Sequence, residues 1–171
     1  MSQPLRLGIA GLGTVGTGVL RIIRQHKALL AARTGREIVI SAVSARDRSK
    51  DRGVSLKSYD WEDDAVNLAT RDDVDIYVEL IGGEDGPAKA SVEAALSAGK
   101  DVFTSNKALL AMLGQSLAEL AERSGQSLRY EAAVAGGIPV IKALTEGLAG
   151  NEVSRVMGVM NGSCNYILTR M

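Results

Sequence analysis

Residues Gly11-Leu12-Gly13-Thr14-Val15-Gly16 place the tightest constraint on how this chain can fold. They follow an apolar run, Leu5-Arg6-Leu7-Gly8-Ile9-Ala10, that reads as a buried strand. They open a segment in which Val15, Val19, Ile22, His26, Leu29 and Leu30 recur at helical spacing. A strand, a G-x-G-x-x-G turn and a helix in that order form a phosphate cradle. Gly11 allows the tight turn, Gly13 leaves the backbone bare for a pyrophosphate, and Gly16 lets helix and strand pack closely. The free N–H groups and the positive dipole end of the helix then face the anion. The alternative is a glycine turn without a ligand, which the flanking strand and helix disfavour.

Composition narrows the field further. The 171 residues suffice for one domain with a real core and little more. Twenty basic and twenty acidic residues cancel, so no global field points to nucleic acid or an anionic membrane. One cysteine, Cys164, excludes an internal disulfide and fits a reducing compartment. No charged-then-apolar leader and no apolar run of about 18 residues is visible. A soluble, cytoplasmic protein acting on a small molecule, with no membrane or nucleic-acid partner, is the expectation.

Further strands are expected over residues 38–43, 76–81, 101–104 and 128–132. The intervening helices run over 14–32, through Ala65 to Ala69, from Pro87 to before Gly99, from Lys107 to before Gly125, and from Pro139 to Gly150. Asp60 with Asp63 is the expected cap of the short helix, and Trp61 its cover. The alternation predicts an α/β fold, a Rossmann-type doubly wound and mainly parallel sheet over residues 1–150. Residues 151–171 read as the start of a second, α+β substrate domain. There, 153–160 alternates like a strand and Asn161-Gly162 reads as a turn.

Several side chains stand out against this frame. After the second strand comes Ser44-Ala45-Arg46-Asp47-Arg48-Ser49-Lys50, where an NAD site usually carries an acid for the ribose hydroxyls. Arg46 there suits a 2′-phosphate, with Arg48 or Lys50 as helpers. NADP is therefore the expected cofactor. NAD is the alternative if Asp47 turns inward, and a solvated basic loop is the third reading. Glu79 inside a strand either faces solvent or lies near the carboxyl ends where ligands of such sheets bind. Gly82, with Gly83, makes a close-approach loop. Lys107 follows Ser105-Asn106 at a helix start, where a cation opposes the dipole, so it is either functional or simply exposed. His26, the lone histidine, has no second histidine to help hold a metal and reads as a packed or half-exposed helix residue.

Four motifs together resemble homoserine dehydrogenase: G-L-G-T-V-G from Gly11, S-N-K-A-L-L-A from Ser105, Y-E-A-A-V-A-G-G-I-P from Tyr130 and N-G-S-C-N-Y-I-L from Asn161. The resemblance spans essentially the whole chain. It implies a domain of an oxidoreductase that reduces L-aspartate 4-semialdehyde to L-homoserine with NAD(P)H, on the route to threonine, methionine and isoleucine. It implies that Gly11, Gly13, Thr14, Val15 and Gly16 hold the pyrophosphate, with Gly82, Ser105 and Lys107 also at the cofactor. Lys107 matches the family lysine between nicotinamide and substrate. Glu131, with the carbonyls of Val134, Gly136 and Ile138, matches a monovalent-cation site, usually sodium. A carboxylate with carbonyls suits such a hard ion.

The family's substrate-binding acids and its proton-donating lysine lie downstream of N-Y-I-L, beyond Met171. The expectation is a chain that binds cofactor but turns over substrate poorly alone, in a full-length protein that is a homodimer. The apolar run Tyr166-Ile167-Leu168 would then lie uncovered. Two rival readings remain at this point. One is a semialdehyde dehydrogenase using Cys164 as nucleophile, for which no nearby base is evident. The other is a non-catalytic module sensing NADP(H).

Overall fold

The computed structural model describes residues 3–158 and 162–171, the side chains of 162–165 excepted. The expected turn at Asn161 and the thiol of Cys164 lie outside the described residues.

Six strands form one parallel sheet. They are β1 (Leu5–Ala10), β2 (Ile38–Ser44), β3 (Asp60–Glu62), β4 (Ile76–Glu79), β5 (Asp101–Thr104) and β6 (Leu128–Arg129). Their order across the sheet is β3-β2-β1-β4-β5-β6. The chain winds outward from β1 in one direction, returns, and winds outward from β4 in the other. The β1/β4 boundary is thus the topological switch point, where open α/β sheets leave a crevice beyond their strand ends. This is the Rossmann-type architecture that the sequence predicts.

The period of two along each strand divides the core into two layers. Leu7 and Ile9 of β1 join Ile40, Val43, Leu12 and Leu20 on one face. Ala10 joins Ala42, Leu68, Tyr77, Val92, Leu96, Val102, Leu109 and Leu117 on the other. Ile40 and Val43 share a layer although three residues apart, because the β1–β2 register shifts between Leu7 and Gly8. Leu7 pairs with Ile40 and Gly8 with Ala42, so Ser41 is the extra residue.

Helices α1 (Thr14–Gln25) and α2 (Lys27–Thr34) replace the single helix expected over 14–32. They break at His26, whose backbone leaves the helical region, and His26 is exposed. The buried side of α1 is also not the one that large apolar spacing marks. Gly16, Thr17 and Leu20 face the sheet, while Val15, Ile22 and Leu29 are exposed. Close approach at Gly16 brings Gly16 and Thr17 inward beside Leu20, with Val19 and Ile23 packed partly against the same layer.

α3 (Ala65–Thr70) is capped by Asp64, which accepts the N–H groups of Val66 at 2.6 Å and Asn67 at 3.2 Å. Asp60 and Asp63 do not cap it: Asp60 pairs with Arg71 and Asp63 accepts the Trp61 indole N–H. α4 (Gly86–Ser97) begins beside Pro87 as expected. α5 (Lys107–Ser124) buries Leu109, Leu117 and Ala121 and ends at left-handed Gly125. Beyond β6 the structure departs from expectation. The strand stops at Arg129, and Glu131–Ala135 is a short helix, α6. α7 (Val140–Lys142) passes into a π-helical turn over Ala143–Gly147. Residues 152–158 carry no strand, and α8 (Gly162–Arg170) exposes Tyr166, Ile167 and Leu168. Among the described residues no helix is long and apolar enough to cross a membrane.

Candidate functional site

Four strand ends meet at the crevice, and backbone hydrogen bonds stitch them together. Gly11 N–H donates to Ser44 carbonyl at 2.8 Å, Leu80 N–H to Ala10 carbonyl at 2.7 Å, and Ser105 N–H to Glu79 carbonyl at 3.3 Å. Each glycine of the loop then has its own reason. Gly11 has φ of 95°, and a Cβ there would lie 2.2 Å from the Leu80 carbonyl oxygen. A Cβ on Gly16 would lie 2.0 Å from the Gly11 carbonyl oxygen. At Gly13 a Cβ would meet nothing within 4 Å. Two glycines are therefore demanded by the protein's own packing, while Gly13 faces open space at the amino end of α1. That open side is where a pyrophosphate fits: the first-turn N–H groups of a helix have no intrahelical acceptor, and this first turn carries no acid.

On the far side of the switch point Glu79 is fully buried. Its Oε1 accepts the N–H groups of Ile81 at 2.7 Å and Gly82 at 3.0 Å, and its Oε2 accepts the Thr104 hydroxyl at 2.5 Å. Thr104 Oγ1 in turn accepts the Asn106 N–H at 3.0 Å. Asn106 donates its Nδ2 to the Gly83 carbonyl at 2.5 Å and caps α5 through Leu109 N–H at 3.1 Å. Glu79 therefore does not face solvent: it lies at the carboxyl end of β4, the second of the two expected places, with its carboxylate spent on the protein's own donors. It locks the Gly82-Gly83 loop against the Ser105-Asn106 loop. Thr104 and Asn106 are the members of this lock that sequence reading misses, and the out-of-place acid in an apolar strand is the signal that leads to them. Lys107, next to Asn106, is exposed, and its side chain has no hydrogen bond or ion pair among the described residues.

The basic loop after β2 lies across from these. Asp47 does not turn towards the glycine loop. Its Oδ1 accepts the Ser49 hydroxyl at 2.7 Å and the Ser49 N–H at 2.8 Å. These bonds, the hydroxyl first, hold its carboxyl below the ordinary range. Arg46 is exposed and without a partner among the described residues. Arg52, just past the run singled out in the sequence, donates Nε to the Leu12 carbonyl at 3.2 Å and Nη1 to the Lys50 carbonyl at 2.8 Å, and Nη2 to the Asp47 carbonyl.

Glu131 belongs to a separate loop. Its carboxylate accepts the N–H of Ile141 and of Lys142, each at 2.9 Å, so it holds the start of α7. Val134 lies in α6, Gly136 turns with φ of 53°, and Ile138 is exposed. Among the described residues no cluster of three or more His, Cys, Asp or Glu side chains is positioned to hold a metal.

Two family models cover the chain: "Homoserine dehydrogenase, NAD binding domain" matches residues 11–131 and "Homoserine dehydrogenase" matches residues 139–171. This chain belongs to the homoserine dehydrogenase family. The homoserine dehydrogenase of Neisseria gonorrhoeae is 44% identical over 99% of the chain, and that of Mycobacterium tuberculosis 45% over 99%. The chain spans 38% of the length of each. Among solved structures, a homoserine dehydrogenase from Thiobacillus denitrificans superposes with a TM-score of 0.89 at 38% identity, covering 99% of the chain and 39% of that protein. A putative homoserine dehydrogenase from Archaeoglobus fulgidus gives 0.79 at 32%, covering 98% and 54%. The crevice described above lies within the stretch that the family's NAD binding domain model matches.

Proposed function

We propose that this chain is the cofactor half of an enzyme that reduces L-aspartate 4-semialdehyde to L-homoserine, and that it prefers NADPH to NADH. Residues 1–150 form the cofactor domain and 151–171 open the substrate domain of a cytoplasmic homodimer. The observation that carries the cofactor preference is the pairing of a self-occupied Asp47 with a partnerless Arg46 at the β2 end. A carboxylate bonded to its own loop is not offered to ribose hydroxyls, and an unpaired guanidinium suits a phosphate dianion.

The cofactor supplies the hydride when bound. Thr14, Val15 and Gly16 present backbone N–H groups to its diphosphate, and Gly82 and Ser105 line the strand ends beside it. Lys107 brings a positive charge to the carboxyl end of β5, where it stabilises negative charge developing on a substrate oxygen. Glu131, with the carbonyls of Val134, Gly136 and Ile138, is the proposed monovalent-cation loop, and sodium its ion. An ion there would share the carboxylate with the two N–H groups it already accepts.

Dissociation constants for NADPH and NADH, measured before and after Arg46→Ala, test the preference. Loss confined to NADPH supports it; equal loss for both cofactors overturns it. The reaction itself is tested in the full-length protein, where Lys107→Ala is expected to lower turnover of the semialdehyde by about a hundredfold while cofactor still binds.

A further inference from the structure

Trp61 is the only tryptophan in the chain, and two arginines of the basic loop reach it. Arg48 Cζ stands 5.7 Å and Arg52 Cζ 5.8 Å from its ring centroid. The ring itself is held firmly. Trp61 pairs with Val43 across β2 and β3, packs against the apolar layer under α1, and donates its indole N–H to Asp63 at 2.7 Å. Arg52 then ties three places together: Leu12 in the glycine loop, and Asp47 and Lys50 in the basic loop. From the other side α1 braces the same segment, with Arg21 Nη2 donating to the Arg52 carbonyl at 3.5 Å.

This arrangement divides the labour among the loop's cations. Arg52 spends its planar donor fork on three carbonyls, and Arg48 lies against an aromatic face. Arg46 and Lys50 keep side chains without a partner among the described residues. We propose that Trp61 and Arg52 are positioning residues for recognition of the cofactor's adenosine 2′-phosphate: they fix the basic loop to the glycine loop, so that Arg46 meets the 2′-phosphate at a set distance from the diphosphate. The proposal rests on the NADPH preference argued above. Trp61 contributes the platform through cation–π contact. Arg52 contributes a span that lysine cannot reproduce, because an ammonium lacks the planar fork.

The test uses 2′,5′-ADP and 5′-AMP as probes, titrated by calorimetry into the 171-residue chain. Both lack the nicotinamide, so the readout is independent of turnover. Wild type binds 2′,5′-ADP more tightly than 5′-AMP. Trp61→Leu and Arg52→Met are expected to cut that preference about tenfold while leaving 5′-AMP affinity within about twofold. Trp61→Phe, which keeps an aromatic face, retains the preference. If the larger changes prevent folding, Arg52→Lys decides, with an expected loss of preference of about fivefold. A wild-type chain that does not discriminate the probes overturns the NADPH reading and this proposal with it. A wild type that discriminates, with the preference intact in Arg52→Lys or Trp61→Leu, or with both probes weakened alike, overturns the positioning role alone.

Discussion

The three glycines of the cradle are equivalent letters in the motif but not equivalent residues in the protein. Gly11 and Gly16 sit where a side chain would collide with backbone, at 2.2 Å and 2.0 Å respectively. Gly16→Ala must push α1 away from the sheet and is expected to cost about 1–3 kcal/mol, read as a lower denaturation midpoint. Gly13→Ala meets nothing within 4 Å, so its stability should stay within about 1 kcal/mol of wild type. Its dinucleotide affinity should nevertheless fall sharply, because the methyl group takes the ligand's space. Stability and titration measured on both variants separate packing glycines from a binding glycine. The sequence pattern marks all three positions. Which glycine does which job depends on the carbonyls opposite, and those come from Leu80 and Gly11 itself. At the β2 end the same division holds. The run of arginines is visible in the sequence, but Asp47 bonding to Ser49, rather than turning inward, is decided by the shape of its own short turn.

Among the elements, the junction of β4, β5 and α5 is held by a buried hydrogen-bond network. Glu79, Thr104 and Asn106 are all buried, and every polar atom named in their network finds a partner. Such a network holds while complete and becomes costly once a member is missing. Asn106→Ala removes the helix cap and the tie to Gly83 together. It should destabilise by about 1–2 kcal/mol in urea unfolding. Thr104→Val, nearly the same shape, leaves one oxygen of a buried carboxylate without its donor. It should cost a similar or larger amount, about 1–3 kcal/mol. Element boundaries were legible where punctuation was strong, as at Pro87 and Gly125. They were not legible in the segment after β6. There Glu131, in the stretch expected as strand, begins α6 instead and reaches forward to the N–H groups of Ile141 and Lys142 at the start of α7, a contact the local pattern does not carry. α1 misled in another way. The expected stripe included Val15 and Ile22, which are exposed, and omitted Gly16, Thr17 and Leu20, which face the sheet.

At the scale of the whole molecule, ion pairs tie β1 and β3 to the segment that leads into β4. Arg6 grips Asp75 with Nη2 at 2.7 Å and Nε at 3.1 Å. Arg71 bonds Asp73, Glu62 and Asp60. The Arg6 hydrogen bond holds the Asp75 carboxyl below its ordinary value, and Arg71 does the same to Asp73. A carboxyl with a lowered folded-state pKa stabilises the fold above its unfolded value and loses that contribution as pH falls through the folded one. Stability should therefore be level near neutrality and decline as pH drops from about 5 towards 2. Asp75→Asn should be less stable at pH 7 and lose less on acidification, as followed by thermal melting across that range. If variant and wild type decline in parallel, Asp75 has no part in the acid response.

The alternation of apolar runs with glycine-punctuated helical stretches was enough to specify a parallel α/β sheet with a glycine loop at its first turn. Backbone sterics and burial act over a few neighbouring residues and leave their mark in the order of the chain. Only the tertiary structure decided that Glu79 is a buried brace and that Arg52 joins two loops. Each of those outcomes is a hydrogen-bonding choice: the winding of the sheet brings Thr104 of β5 to Glu79 and Leu12 of the glycine loop to Arg52, while their other partners are near neighbours in the chain.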